Sequence, residues 1–345
     1  MPFSGKIGSS LLVLLGVIIL VFLMFQGFGD PARMLAGQSG NDQTISNIRK
    51  DLNLDKPIWK QLILYLNDVS PVGIHSKEEI ARNNLKGFFL PGDRSIGVKV
   101  PYLGRSYQSR RPVTEVLIEA LPGTLVLAFS AMLIACIAGI GLGVLAALKK
   151  GTWMDSGIII SSIAGISAPS FFMAILIAYI FGIVLHDQTG LNFTGSLFTI
   201  NALTGKSELE LRNLILPAIT LGIRPLAIIA QLTRSSMIDV LSQDFIRTAY
   251  AKGLSRRRVI LRHALPNAMN PVVTAISGWF AELLAGSFFI EYIFGWKGIG
   301  KLTVDALEKL DYPLVMGAVL LSACIFIFIN LLTELIYRYF DPRIS

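Results

Sequence analysis

The sequence predicts an all-α polytopic membrane protein with six transmembrane helices. Three observations carry that prediction. Charged residues make up 16% of the 345-residue chain, against about 25% in a soluble domain. Residues of the set AVILMFWYC make up 53%, with 31 glycines besides, and the mean hydropathy is +0.61. Uncharged runs recur that are long enough to cross a bilayer, since a helix rising about 1.5 Å per residue needs about 20 apolar residues for about 30 Å of hydrocarbon. A soluble monomer could not hide so much apolar surface behind so few charges. The composition also excludes a disordered chain, a collagen and a disulfide scaffold. Cys136 and Cys324 lie deep in apolar runs and read as free, buried thiols.

The spans follow in order. Ile7–Gly29, Ala120–Leu148, Ser156–Leu185 and Tyr312–Thr333 are clear. Asn213–Thr233 is interrupted only by Arg224, and Ala264–Ile290 only by Glu282. The first run is longer than a signal-peptide core and no A-x-A-like site follows it, so it reads as an uncleaved anchor. The chain divides into that anchor (1–29), an external segment (30–119) and a five-helix core (120–345) containing a cytoplasmic loop at 235–267.

Orientation follows from Lys and Arg in the short loops. Lys149 and Lys150 lie between spans 2 and 3. Arg234, Arg247, Lys252, Arg256, Arg257, Arg258 and Arg262 follow span 4, and Arg338 and Arg343 close the chain. The cell membrane with both termini cytoplasmic satisfies every short loop. In the external segment, Asp55-Lys56-Pro57 predicts a capped helix start, and Ile58, Leu62, Tyr65 and Leu66 form one apolar stripe. Ser70 to Gly104 is turn-rich without a clear period.

Two motifs mislead. Gly295 to Lys301 spells G-x-x-x-x-G-K, but a phosphate-cradling loop needs Ser or Thr next, and Leu302 stands there. Gly139, Gly141 and Gly143 mimic a dinucleotide fingerprint inside an apolar helix, where small residues serve close packing. His75, His186 and His263 are not at mid-membrane. There is no H-E-x-x-H, G-x-S-x-G or cysteine pair, so a membrane-embedded enzyme lacks its constellation. The basic loop has no aromatic platform for nucleic acid.

The loop from Asp244 to Asn267 is the most informative stretch. Asp244 can cap a helix over Phe245–Lys252, Gly253 suits positive φ at its end, and Ser255 can cap a second helix ending before Pro266. Arg256, Arg257 and Arg258 would oppose that helix's macrodipole, so lipid headgroups or an acidic partner should compensate. Small residues around the turn (Thr248, Ala249, Ala251, Gly253) flanked by Phe245, Ile246 and Leu254 suit a groove on another protein.

Arg247-Thr248-Ala249, Ala251-Lys252-Gly253-Leu254 and His263-Ala264-Leu265-Pro266-Asn267 together resemble the EAA loop of ABC importer permeases, in the branch handling dipeptides, oligopeptides and nickel. Supporting residues run nearly end to end: Gly29-Asp30-Pro31-Ala32, Leu54 to Pro57, Leu121 to Leu125, Ser167 to Phe172, Leu232 to Met237, Glu291, Phe294, Gly298 to Gly300, Asp311 to Pro313, Asn330 and Asp341 to Arg343. Lys297 departs from the family's usual Pro, and residues from about Val72 to Val100 look like an insertion.

The resemblance implies a type I importer permease fold and a subunit that is not an enzyme. It implies four kinds of partner: a second homologous permease, two cytoplasmic ATPases, an external substrate-binding protein and membrane lipid, with no nucleic acid. ATP and magnesium would sit on the ATPases, and this chain would hold no cofactor or metal. By the same resemblance Arg247, Thr248, Ala249, Lys252, Gly253 and Leu254 contact the ATPase. Ala249 would permit close approach, and the basic residues would meet acidic surface. Peptides are the expected cargo; nickel or another small solute is the alternative, and an ATP-independent channel is the alternative from another class. Independently of the family, Arg224 and Glu282 lie at similar depth in their spans. Intramembrane charges are costly, so the two are candidates to line a translocation path, as a pair beside the helix-opening Pro225.

Overall fold

The computed structural model describes residues 3–27, 31–36, 41–51, 53–200, 205–285 and 287–340. Gly29-Asp30 and Asp341-Pro342-Arg343 lie outside the described residues. The chain forms two compact units, residues 1–119 with 305–324, and residues 120–304 with 325–345.

The first unit starts with α1 (Phe3–Gly27), then α2 (Pro31–Ala36), α3 (Asp42–Asp51) and α4 (Ile58–Val69). α4 begins one residue after Pro57. The expected Asp55 cap is displaced because Pro57 fixes an extended residue between it and the helix. α4 runs antiparallel to α1: Gln26 Nε2 donates to Gln61 Oε1 at 2.8 Å, and the Phe22 and Tyr65 rings stack with centroids 5.8 Å apart. Of the predicted stripe, Leu62, Tyr65 and Leu66 are half-buried and Ile58 is exposed.

The stretch without a clear period folds as a small α/β element: β1 (Val72–Ser76), α5 (Lys77–Asn83), β2 (Gly87–Phe89) and β3 (Arg94–Lys99). The antiparallel sheet has the order β1-β3-β2, with Val72 opposite Val98 and Phe88 opposite Val98. Ser76 starts α5 with a capping box to Glu79, which satisfies two orphan backbone donors. Glycines face inward because no Cβ fits there: one on Gly97 would meet the Phe89 ring at 2.4 Å.

Beneath the sheet lies a polar cluster. Lys99 Nζ donates to the Asp68 carbonyl, and His75 Nδ1 lies 4.0 Å from Asp68 and 3.7 Å from Glu79. Burial raises the Asp68 carboxyl to about 6, and burial next to Lys99 lowers His75.

α6 (Val113–Leu148) leads into the second unit. α7 (Trp153–Ser167) and α8 (Ser170–Tyr179) follow, bent by 108° at their junction. The expected continuous third span is thus broken, because Pro169 lacks an N–H and forces Ala168 into extended geometry (φ −72°, ψ 132°). A π turn over Ile180–Val184, α9 (His186–Thr189) and a hairpin of β4 (Phe198–Ile200) with β5 (Ser207–Leu209) come next. Then come α10 (Arg212–Leu241), α11 (Asp244–Ala251), α12 (Arg256–Arg258), a π turn over Val259–Ala264, α13 (Leu265–Ala285), α14 (Phe288–Ile293), α15 (Ile299–Glu308) and α16 (Tyr312–Phe340).

Among the described residues, α1, α6, α10 and α16 are long and apolar enough to cross a membrane, and the bent α7–α8 pair makes a fifth span. α13, with 21 residues, falls short of that apolarity, so the described residues give up to five such spans where the sequence predicts six. Cys324 is exposed on α16 and Cys136 half-buried; the expectation of burial fails because an apolar side chain in a span can face lipid.

The glycines of α6 pack, as expected inside a helix. A Cβ on Gly139 would lie 2.9 Å from Leu226 O, and one on Gly143 would lie 2.6 Å from Ala230 O. α10 therefore meets α6 backbone to backbone. Gly141, between them, has open space.

The polar cluster gives a pH prediction. A raised Asp68 favours the protonated folded state, so its contribution falls as pH rises from about 4 to about 6. A lowered His75 favours the neutral folded state, so its contribution falls as pH drops below about 6.5. The two oppose each other. Amide exchange of β1 and β3 will therefore show a steeper loss of protection on acidification from pH 6.5 to 4 in Asp68→Asn than in the native chain.

Candidate functional site

The site is the basic loop between α10 and α13. α11 seats one face on its own unit: Ile246 and Ala249 are buried against Met237, Val259, Ile260 and Ala264. Asp244, Phe245, Arg247, Thr248, Tyr250, Ala251, Lys252 and Gly253 are exposed. Arg247 Nη1 reaches Asp244 Oδ1 at 3.3 Å, both in solvent, a pair of little energetic weight.

The end of α11 is tightly specified. Gly253 takes φ +79°. Its N–H donates to Tyr250 O at 2.9 Å, and Leu254 N–H to Ala249 O at 3.4 Å. These are the two bonds of a Schellman motif, and Leu254 folds back on the buried core. The predicted left-handed glycine is therefore in place. Asp244 is the first helical residue rather than the cap: Gln243 holds that position and makes no side-chain bond. Ser255 precedes α12 without a capping bond.

The second predicted helix does not stop before Pro266. Leu265 N–H donates to Ile260 O, five residues back. This π geometry widens the turn and absorbs the donor Pro266 lacks, so the helix continues into α13. The loop is thus rigidly joined to a membrane-spanning helix.

The six sequence-predicted contact residues part company here. Arg247, Thr248, Lys252 and Gly253 share the exposed surface, and Leu254 is half-buried beside it. Ala249 faces inward at 6% exposure. Its small size serves the packing of α11 on its own core.

A residue that sequence reasoning missed holds the same end of the unit. Asp155 is buried in the first turn of α7. Its Oδ1 accepts from Arg234 Nε at 2.5 Å, and its Oδ2 from Arg234 Nη2 at 2.8 Å and from Gly151 N–H at 3.0 Å. A forked guanidinium–carboxylate pair of this geometry fixes orientation as well as charge. It ties the Lys149–Thr152 turn to α10, ten residues before α11 begins. The available signal was a lone Asp at the mouth of an apolar run.

At the other end of the second unit, Glu291 is fully buried. Its Oε1 accepts from Thr124 Oγ1 at 2.8 Å and Ser287 Oγ at 3.0 Å, and its Oε2 from Lys301 N–H at 3.1 Å. Thr124 Oγ1 also accepts from Ile299 N–H at 2.8 Å, and Trp296 Nε1 donates to Gly123 O at 2.9 Å. Cβ atoms on Gly123, Gly298 or Gly300 would collide with this network. Loop donors that a phosphate would need are spent on the protein's own carboxylate and threonine, so the G-x-x-x-x-G-K stretch is a structural staple. In the first unit Asp311 is likewise buried, accepting from Ser106 Oγ, from Tyr107 N–H at 2.9 Å and from Gln108 N–H at 3.3 Å.

Arg224 and Glu282 line one cavity of about 150 Å³ with Gly165, Thr220, Pro225 and Trp279. They form no ion pair within 4 Å. The Arg224 guanidinium instead lies 5.8 Å over the Trp279 ring, a cation–π arrangement. The expected pairing is absent because the aromatic face on α13 takes the guanidinium.

Several membrane-length apolar helices and the basic loop that joins α10 to α13 are the features of a multi-pass membrane permease. The chain belongs to the family of binding-protein-dependent transport system inner membrane components, the permease subunits of ABC importers. The family profile matches residues 139–345, and a companion described as the N-terminal part of such membrane components matches residues 4–128.

Relatives align nearly end to end. The dipeptide transport system permease protein DppB of Escherichia coli K12 is 36% identical, over 98% of this chain and 97% of that protein. The probable D,D-dipeptide permease DdpB of the same strain is 35% identical, over 97% and 94%. The glutathione permease GsiC of Escherichia coli O6:H1 is 35% identical, over 95% and 93%. Inward-facing structures of the MetNI methionine ABC transporter align at 15% identity with a TM-score of 0.48, over 66% of this chain and 97% of that one. The chain is therefore a multi-pass inner-membrane component of a transporter and not an enzyme.

The Asp155–Arg234 tie predicts non-additive behaviour. Arg234→Ala strands a buried carboxylate, whereas the double variant with Asp155→Ala removes both charges. Thermal unfolding in detergent will show the single variant less stable than the double one. Additive losses would mean that the pair contributes nothing as a pair.

Proposed function

We infer that this subunit forms half of a translocation path for peptides and couples to a cytoplasmic ATPase through the α11–Gly253 surface. The observation that carries the reading is the shape of that surface. Phe245, Thr248, Lys252 and Gly253 stand exposed on a helix whose other face is buried and whose end is locked by Gly253. A solvated loop has no need of such stiffness, whereas a lever does. The π turn into α13 gives the lever a direct route to a span that carries Glu282 and Trp279.

In this reading the basic end faces the cytoplasm, as the Lys and Arg distribution requires, with both termini on that side. A second homologous permease completes the path, two ATPases carry the ATP and magnesium, and an external binding protein delivers cargo. This chain needs no cofactor. The dipeptide and glutathione permeases among its relatives support peptides as cargo. Arg224, Glu282 and Trp279 supply the charged and aromatic lining of the path, where a zwitterionic peptide would meet both signs of charge.

The test is reconstitution with the partner subunits in proteoliposomes, reading uptake of a labelled dipeptide and ATP hydrolysis. Phe245→Asp and Lys252→Glu will each lower uptake about tenfold or more, the equivalent of roughly 1.4 kcal/mol of lost contact, with membrane insertion unchanged. Gly253→Ala, straining a left-handed position by about 1–2 kcal/mol, will give a milder loss. Undiminished uptake in the first two variants would refute the coupling role, and uptake of nickel but not dipeptide would refute the cargo.

A further inference from the structure

The β element of the first unit is built inside out for water. Its inward face carries Gly73, His75, Ser95, Gly97 and Lys99, all buried. Its outward face carries Val72, Ile74, Phe88, Ile96 and Val98, with Phe88 76% and Val98 63% exposed. Register places these five on one contiguous surface: Val72, Val98 and Phe88 in one row, and Ile74 beside Ile96 in the next. A sheet with one face in water normally shows the reverse alternation. An apolar patch of this kind marks a membrane or protein contact.

The position of the sheet along the spans decides which. α4 descends antiparallel to α1, from Gln61 beside Gln26 to Tyr65 beside Phe22. Below that level, Pro71, just before β1, and Pro101, just after β3, line an apolar crevice of about 630 Å³ together with Leu11, Leu14, Leu15 and Ile18 of α1. Those α1 residues lie eight to fifteen residues below Gln26, or about 12–22 Å at 1.5 Å per residue. α16 agrees: Tyr312 packs edge-on to Phe25, and Leu320, Leu321 and Cys324 line the same crevice. The Val72–Val98 end of the sheet therefore sits alongside the apolar stretches of two spanning helices.

We propose that the outward face of this sheet is seated in the acyl region of the bilayer, as a lipid-contacting element between the first two spans. The neighbouring α1 likewise exposes apolar side chains, with Leu12, Leu20 and Leu23 more than half exposed. The inverted alternation is that of a strand with lipid on one side and a polar interior on the other. The imidazole and ammonium groups turn inward, where Asn67 and the Asp68 carbonyl meet them, and the Ser95 hydroxyl donates to Gly92 O. The charges of α5, Lys77, Glu78 and Arg82, are exposed on a separate element and mark the headgroup or water side. A protein that docks and departs would leave this face bare in water, at the cost of its full apolar area.

The test is spin labelling of the complete transporter, purified through a tag on this chain and placed in nanodiscs of phosphatidylethanolamine and phosphatidylglycerol. With Cys136 and Cys324 replaced by Ser, labels enter at Phe88→Cys, Ile96→Cys and, as the aqueous reference, Glu78→Cys. Retained dipeptide uptake checks that each variant folds. Oxygen collisions will exceed those of a water-soluble nickel chelate at residues 88 and 96, and the ratio will invert at 78. Chelate access at 88 and 96 equal to that at 78 would place the face in water and overturn the proposal. Shielding from both reagents would place it against protein and overturn it equally.

Discussion

Inside hydrocarbon, water no longer drives helices together, so a bundle holds only where backbones come close and where buried polar groups find partners. The second unit depends on that constraint. α6 and α10 meet at Gly139 and Gly143, with Gly222 packed on Ala131 O from the other side, so dispersion acts over the full length of contact. Two polar ties then fix the ends. Asp155 grips Arg234 at the basic end, and Glu291 gathers Thr124, Ser287 and the loop after α14 at the other. Each has its charge or lone pairs met by several donors, without which burial would be costly.

The same constraint explains where the helices break. Pro169 bends α7 against α8, and the chain turns π-wide at Val259–Ala264 ahead of Pro266. At Pro169, inside an apolar run, lost helical bonds would be expensive in lipid. The second break lies beside the basic loop, where it converts a connection into a continuous, stiff link from α11 to α13. The Schellman end at Gly253 adds the other half of that stiffness. A surface element so constrained holds its shape, which is why the loop and not the cavity organises the functional reading.

Much of the site was legible as local chemistry. Gly253 sits where a helix must end in left-handed geometry, and Leu254 follows it as the apolar closing residue. The resemblance residues Leu121 to Leu125, Glu291 and Gly298 to Gly300 acquired a reason only in three dimensions. They meet around one buried carboxylate although some 170 residues separate them in the chain. Asp155 escaped notice because its partner lies 79 residues away. Ala249 turns to its own core, which its sequence could not decide because a small residue suits an outer groove and an inner core equally well. Arg224 and Glu282 matched in depth, but depth does not fix azimuth, and Trp279 took the guanidinium.

Hydropathy and charge settle the long apolar spans and the basic loop, because crossing hydrocarbon is a requirement each segment meets by its own composition. Turn chemistry settles Gly253 for the same local reason. Tertiary structure alone decided which face of α11 is free, where α7 yields to α8, which carboxylates are buried, and that residues 72–99 form a sheet with its apolar side outward. Those outcomes depend on which distant side chain occupies the space next door. That information lies in the packing of the whole chain and in no single stretch of it.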